Sequence, residues 1–144
     1  MRAVLDTNVL VSALLFGGPP LDVLDLAEAG VVQVYTSENA LAELYSVLSR
    51  AKFRYRLRSL GISASSLVSA YRRLATVVAP ADPPGICSDL QDDEFIAIGI
   101  SAEADVIASG DRHLLACSES SPIPILTVAE LLLALRDILK PDSE

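Results

Sequence analysis

Short β-branched or apolar runs alternate with helix-like segments along nearly the whole chain, and this alternation constrains the fold more than any other feature. Residues 2–5, 31–35, 76–78, 105–109 and 123–126 read as strands. Helical spacing falls between them, over 9–16, 21–29, 37–50, 62–75, 92–103 and 111–116, with a last helix after Thr127. Gly17-Gly18-Pro19-Pro20 breaks the first helix from the second. Thr7 or Asn8 is expected to cap the first helix and Ser37 the third, while Thr127 and Glu130 have the spacing of a capping box. The stretch 50–61 is expected to be partly irregular, and 80–85, with three prolines, to be a loop. Strands alternating with helices predict an α/β protein, with helices on both faces of a mainly parallel sheet. One domain over residues 1–140 and a frayed tail at 141–144 are expected.

Four acids sit beside hydrophobic runs that should be buried: Asp6, Glu43, Asp93 and Asp111. Asp6 ends the first strand and Asp111 follows the fourth. Asp92 and Asp93 open a helix, and Glu43 borders the apolar face of another. Ligands bind outside the carboxyl ends of strands in such sheets. Singly, each acid has an ordinary reading: a helix cap for Asp6, a snorkelling surface acid for Glu43, dipole partners for Asp92, Asp93 and Glu94, and a turn former for Asp111. Together they imply more. Carboxylates converging on one site repel each other unless a cation neutralises them. An all-oxygen acidic site suits Mg²⁺ or Mn²⁺, and with it phosphodiester chemistry.

The net charge of −8 is the wrong sign for a nucleic-acid binder, but its distribution is uneven. Arg50, Lys52, Arg54, Arg56 and Arg58 hold five of the 11 basic residues within nine positions, interleaved with Phe53 and Tyr55. The cluster is either a solvated helix end or a track for a polyanion. Two cysteines make no disulfide framework and lack zinc spacing, so a reduced, cytoplasmic setting is expected. No apolar run is long enough to span a membrane, and no leader segment is expected. His113, the lone histidine, reads as a surface or cap residue.

The chain resembles the PIN-domain ribonucleases, in the branch of the VapC-related toxins. The resemblance rests on Asp6-Thr7-Asn8-Val9-Leu10-Val11-Ser12-Ala13 after the first strand, and on Glu43 in a helix that ends Val47-Leu48-Ser49-Arg50-Ala51-Lys52-Phe53. It continues through Asp92-Asp93-Glu94-Phe95-Ile96-Ala97 and from Ala104 to Asp111-Arg112-His113-Leu114-Leu115. It covers nearly the whole chain, and its strength lies in the order of the motifs. The resemblance implies a three-layer α/β/α fold and an endoribonuclease using Mg²⁺ or Mn²⁺. It places catalytic and metal-binding roles on Asp6, Glu43, Asp93 and Asp111, with Asn8, Ser109 and Asp92 in support, and leaves Asp92 open as the ligand in place of Asp93. It further implies a toxin paired with a small antitoxin and a homodimer or higher homo-oligomer. Arg50, Lys52, Arg54, Arg56 and Arg58 are then the expected RNA-binding track. Two positions depart from the pattern: Glu94 stands where lysine is frequent, and Ser109 where threonine is common.

Two rival enzyme classes fit the sequence less well. A phosphatase with an aspartate nucleophile is disfavoured, because Asp6-Thr7-Asn8 lacks a second aspartate two residues on. A glycine-rich phosphate loop is absent after the first strand, which disfavours nucleotide binding. The remaining alternative is a catalytically inactive PIN-like binding or assembly module.

Overall fold

A computed structural model describes residues 1–140; the tail expected at 141–144 lies outside them. Five parallel strands form one sheet in the order β3-β2-β1-β4-β5, with β1 at Arg2–Leu5, β2 at Gln33–Thr36, β3 at Thr76–Val77, β4 at Val106–Ala108 and β5 at Ile125–Leu126. The helices are α1 (Thr7–Phe16), α2 (Pro19–Glu28), α3 (Glu38–Leu48), α4 (Arg54–Leu60), α5 (Ala64–Leu74), α6 (Leu90–Ala102), α7 (Arg112–Ala116) and α8 (Val128–Leu139). This is the expected α/β architecture.

Side chains alternate across the pleat, so each strand feeds two cores. Ala3 and Leu5 of β1, with Val106 and Ala108 of β4, face a cluster built with α1, α2, α3, α5 and α8. Val4 and Ile107 point the other way, toward Phe95, Ile96 and Ile98 of α6, Leu114 of α7 and Ile125 of β5. The central strands are buried on both faces, which explains their unbroken apolar runs. Gly99 allows α6 to lie close on this second face. A Cβ there would sit 2.5 Å from Ile123 Cδ1, and the isoleucine would have to move.

Local chemistry fixes the helix ends. Ser37 accepts the Ala40 amide at 3.1 Å, and both hydrogen bonds of the Thr127–Glu130 capping box are present. The expected cap at Thr7 or Asn8 is instead Asp6, whose extended backbone starts α1 slightly earlier than the apolar spacing suggested. The α1 and α2 axes turn 92° at the glycine break, where Gly17 and Gly18 both hold positive φ. The basic stretch is more regular than expected: a short turn at Ala51–Phe53 leads directly into α4. Among the described residues, no single helix is long and apolar enough to cross a membrane.

Candidate active site

The strand order reverses between β1 and β4, both of which start from the middle of the sheet. A crevice opens there beyond the carboxyl ends of the strands. Asp6, the first residue past β1, bonds through its amide to the Ala108 carbonyl at 3.1 Å. The residue is only 3% exposed. Oδ1 caps α1 by accepting the Val9 amide at 2.8 Å. Oδ2 accepts the hydroxyl of Ser109, a fully buried residue just past β4. The same Ser109 Oγ accepts the Asp111 amide at 2.9 Å. Asp111 in turn caps α7, with Oδ1 accepting the His113 amide at 2.9 Å. One serine thus ties together the two acids delivered by neighbouring strands.

Two further acids reach the crevice from helices. Glu43 projects from α3, half-buried, and its Oε2 accepts Gln91 Nε2 at 2.8 Å. Asp92 lies in the first turn of α6. Asp6, Asn8, Glu43, Asp92 and Asp111 line one cleft of about 210 Å³, with Gln91 and Arg50 on its wall.

Asp93, expected as the third acid of this set, turns away from the cleft. It is 1% exposed, and its carboxylate is enclosed by backbone amides. Oδ1 accepts those of Ile86 at 2.9 Å and Cys87 at 3.0 Å, and Oδ2 that of Gly85 at 2.9 Å. Of the two neighbours between which the sequence left the choice open, Asp92 lines the cleft, and Asp93 pins the loop before α6. Gln91 and Asp89 do not stand out in the sequence. Asp89 is the α6 cap, accepting the Gln91 and Asp92 amides at 2.9 and 3.1 Å. An acid three residues before Asp92 is the signal that could have revealed it.

The cleft is electrostatically loaded. Burial raises the Asp6 carboxyl above the usual range, as does the charge of Asp111, although hydrogen bonds from Ser109, Val9 and Gly110 partly offset this. Burial, with the charges of Asp89, Asp111 and Asp6, pushes Asp92 up to about 6, against a small lowering by His113. Asp93 behaves oppositely: burial raises it, but the amides of Cys87, Gly85 and Ile86 outweigh that and hold it below the ordinary aspartate range. The donor set facing the cleft is all oxygen, and its acids are short of positive charge, which fits a hard divalent cation. Among the described residues, no three of its acids already converge tightly enough to grip an ion between them. Ligation would therefore run through water or side-chain adjustment.

The basic stretch divides. Arg50 stands on the cleft wall. Lys52, Arg54 and Arg58 are exposed and, among the described residues, without a carboxylate partner. Arg56 instead donates Nε to the Leu15 carbonyl at 2.7 Å and lies over the Phe16 ring, docking α4 on the end of α1.

Fold and cleft together define a parallel α/β protein with an acidic crevice at its topological switch point. The PIN-domain family profile matches residues 2–113, and the chain belongs to the PIN-domain family. An uncharacterised protein of Methanocaldococcus jannaschii is 28% identical over 123 residues, which is 84% of this chain and 77% of that one. Among solved structures, VapBC2 from Rickettsia felis, bound to a DNA fragment from its promoter, superposes with a TM-score of 0.59 at 17% identity, covering 88% of this chain and 97% of that chain. PAE2754 from Pyrobaculum aerophilum superposes with a TM-score of 0.56 at 14% identity, covering 95% and 99%. These structures share the fold.

Proposed function

We propose that this PIN domain, taken as one unit over residues 1–140, is a Mg²⁺- or Mn²⁺-dependent endoribonuclease. We further propose that it is the toxin of a toxin–antitoxin pair in the cytoplasm. One observation carries the reading: Asp6, Glu43, Asp92 and Asp111 arrive from four separate elements to line one cleft with a guanidinium on its wall. Four acids at a strand switch point have no structural need of each other, and their repulsion is a cost that a cation removes.

Asp92 takes the third acidic role here in place of Asp93, whose oxygens are already spent on three amides. A divalent ion, when bound, supplies a water of lowered pKa and stabilises charge on the scissile phosphate and the leaving oxygen. The chain's own residues arrange the rest. Ser109 holds Asp6 in one rotamer and anchors the Asp111 backbone. Gln91 holds Glu43 toward the cleft. Asn8, exposed at the rim, offers a neutral oxygen or amide donor. Arg50 meets an incoming phosphate, and Lys52, Arg54 and Arg58 extend that positive track outward. Tyr55, 81% exposed beside them, offers a stacking surface for an unpaired base.

The likeness to VapBC2 supports a small antitoxin partner. Exposed Phe16, Leu21, Leu60 and Ile62 support self-association through the end of α1, α2 and the α4–α5 corner. The deciding experiment is cleavage of single-stranded RNA by the purified protein with Mg²⁺, with Mn²⁺ and with chelator. Metal-dependent products bearing 5′-phosphates, lost in Asp6→Asn and Asp92→Asn but kept in a folded Asp93→Asn, support the reading. An inactive binding module would cleave under none of these conditions.

A further inference from the structure

The chain's only two cysteines, far apart in sequence, meet in the fold. Cys87 is buried in the loop before α6, and Cys117 packs against its cluster from the end of α7. Both line a cavity of about 590 Å³ that also touches Asp92, Asp111 and His113. Cys117 is half-exposed, and its thiol donates to the His113 carbonyl at 3.3 Å. The two cysteines also sit on the segments that hold the acidic cleft. The Cys87 amide is one of the three that bind Asp93, and Cys117 ends the helix that Asp111 caps.

We propose that Cys87 and Cys117 are an oxidative modification site that closes to an intramolecular disulfide when hydrogen peroxide enters this cavity. Cys117 is the thiol within reach of solvent. Cys87 is buried, so its sulfur does not meet the peroxide first. The Cys117 sulfur attacks the peroxide oxygen, the O–O bond breaks, and Cys117 becomes a sulfenic acid as one water leaves. The Cys87 sulfur then attacks the Cys117 sulfur. The S–S bond forms, the S–O bond breaks, and hydroxide leaves with the Cys87 proton as a second water. The two thiols give up two electrons and two hydrogens, and one hydrogen peroxide accepts them. The bridge closes a loop of about 30 residues, which restricts the unfolded chain. It also fastens the α6 entry, with Asp92 and Asp93, to α7, with Asp111.

The test needs no nuclease activity, so it stands apart from the proposed reaction. The folded wild-type protein is treated with stoichiometric hydrogen peroxide, alkylated under denaturing conditions, and analysed by intact mass and non-reducing peptide mapping. The expected result is loss of both alkylation sites, a mass lower by two hydrogens, one peptide pair joined through Cys87 and Cys117, and a higher melting temperature that dithiothreitol reverses. In Cys87→Ser, Cys117 should be trapped by dimedone as the sulfenic acid. In Cys117→Ser, Cys87 should stay reduced. The proposal is overturned if Cys117 proceeds to sulfinic acid or joins two chains while Cys87 remains free. It is equally overturned if neither thiol of the folded protein is oxidised.

Discussion

Adjacent aspartates with opposite surroundings should respond oppositely to the same substitution. Asp93→Asn keeps the shape and removes the charge. Oδ1 still accepts from Ile86 and Cys87, but as a neutral acceptor, which weakens each bond by about 0.5–1 kcal/mol. The new amide group meets the Gly85 N–H donor to donor, and that bond is lost for about 1 kcal/mol more, since Gly85 lies at the surface and finds water. The sum is a loss of roughly 2–3 kcal/mol, or a fall in melting temperature of about 5–10 °C for a chain of this length. Asp92→Asn removes a half-buried carboxylate that its neighbours already disfavour, and should gain about 1 kcal/mol after discounting for solvent screening. The pH dependence separates them further. Asp93 is depressed in the folded state, so its contribution is present above the ordinary aspartate range and lost as pH falls below ~4. Asp92 is raised, so the metal-free protein loses stability as pH rises through about 6, and Asp92→Asn should reduce that slope, leaving the part due to Asp6, which is raised as well. Urea unfolding without metal, run across pH, measures both. If Asp92→Asn is the destabilised variant and Asp93→Asn keeps its fold while losing divalent-ion binding, then Asp93 is the ligand and Asp92 the loop anchor.

Asp6→Asn should abolish RNA cleavage while leaving the apo protein at least as stable, because Ser109 can keep its hydrogen bond and a buried charge is gone. Mg²⁺ or Mn²⁺ should raise the melting temperature of the wild type and do so much less in Asp6→Asn; equal shifts would place the ion elsewhere. Neutralising Arg54 and Arg58 together should weaken RNA affinity and flatten its salt dependence by about two counterions, with little loss of stability, as filter binding at several salt concentrations would show. Arg56→Gln should instead lower stability by about 1 kcal/mol through the lost Leu15 contact, read as a shifted urea midpoint. Tyr71→Phe should be neutral or stabilising by up to about 1 kcal/mol in the same assay, since the Tyr71 hydroxyl is buried without a hydrogen-bond partner.

The sheet was legible because its strands announce themselves. β1 and β4 are buried on both faces, so their sequences are continuous apolar runs bounded by turn residues. Ser37 and the Thr127–Glu130 pair were legible because a cap is a local motif whose hydrogen bonds lie within four residues. The helix at Arg54–Leu60 was not, for a related reason. It buries no residue fully, so it leaves no apolar stripe to read. Its anchor is a side chain reaching back to a carbonyl at Leu15, a contact no local pattern records. Arg56 therefore looks in sequence like one more member of a basic run.

The site shows the same limit at finer grain. Asp6 and Asp111 are placed by strand ends, and a strand end fixes direction. Asp92 and Asp93 are placed by a helix, where consecutive side chains point about 100° apart. To choose between them requires knowing which way the helix is turned. An ordinary amphipathic helix discloses this through its polar stripe. In α6, Asp93, Phe95, Ile96, Ala97, Ile98, Gly99 and Ala102 are all buried, so the helix is wrapped nearly all round and its phase is hidden. The phase is set instead from outside, by the Gly85–Cys87 amides that need an acceptor and by Gly99 against Ile123. Both constraints turn Asp93 inward and leave Asp92 facing Asp6 and Asp111. Filling the Gly99 notch with alanine should therefore disturb more than packing: by forcing α6 to rotate or lift, it should move Asp92. Divalent-ion affinity should then fall along with stability. If Gly99→Ala lowers stability alone, Ile123 has yielded and the helix has not.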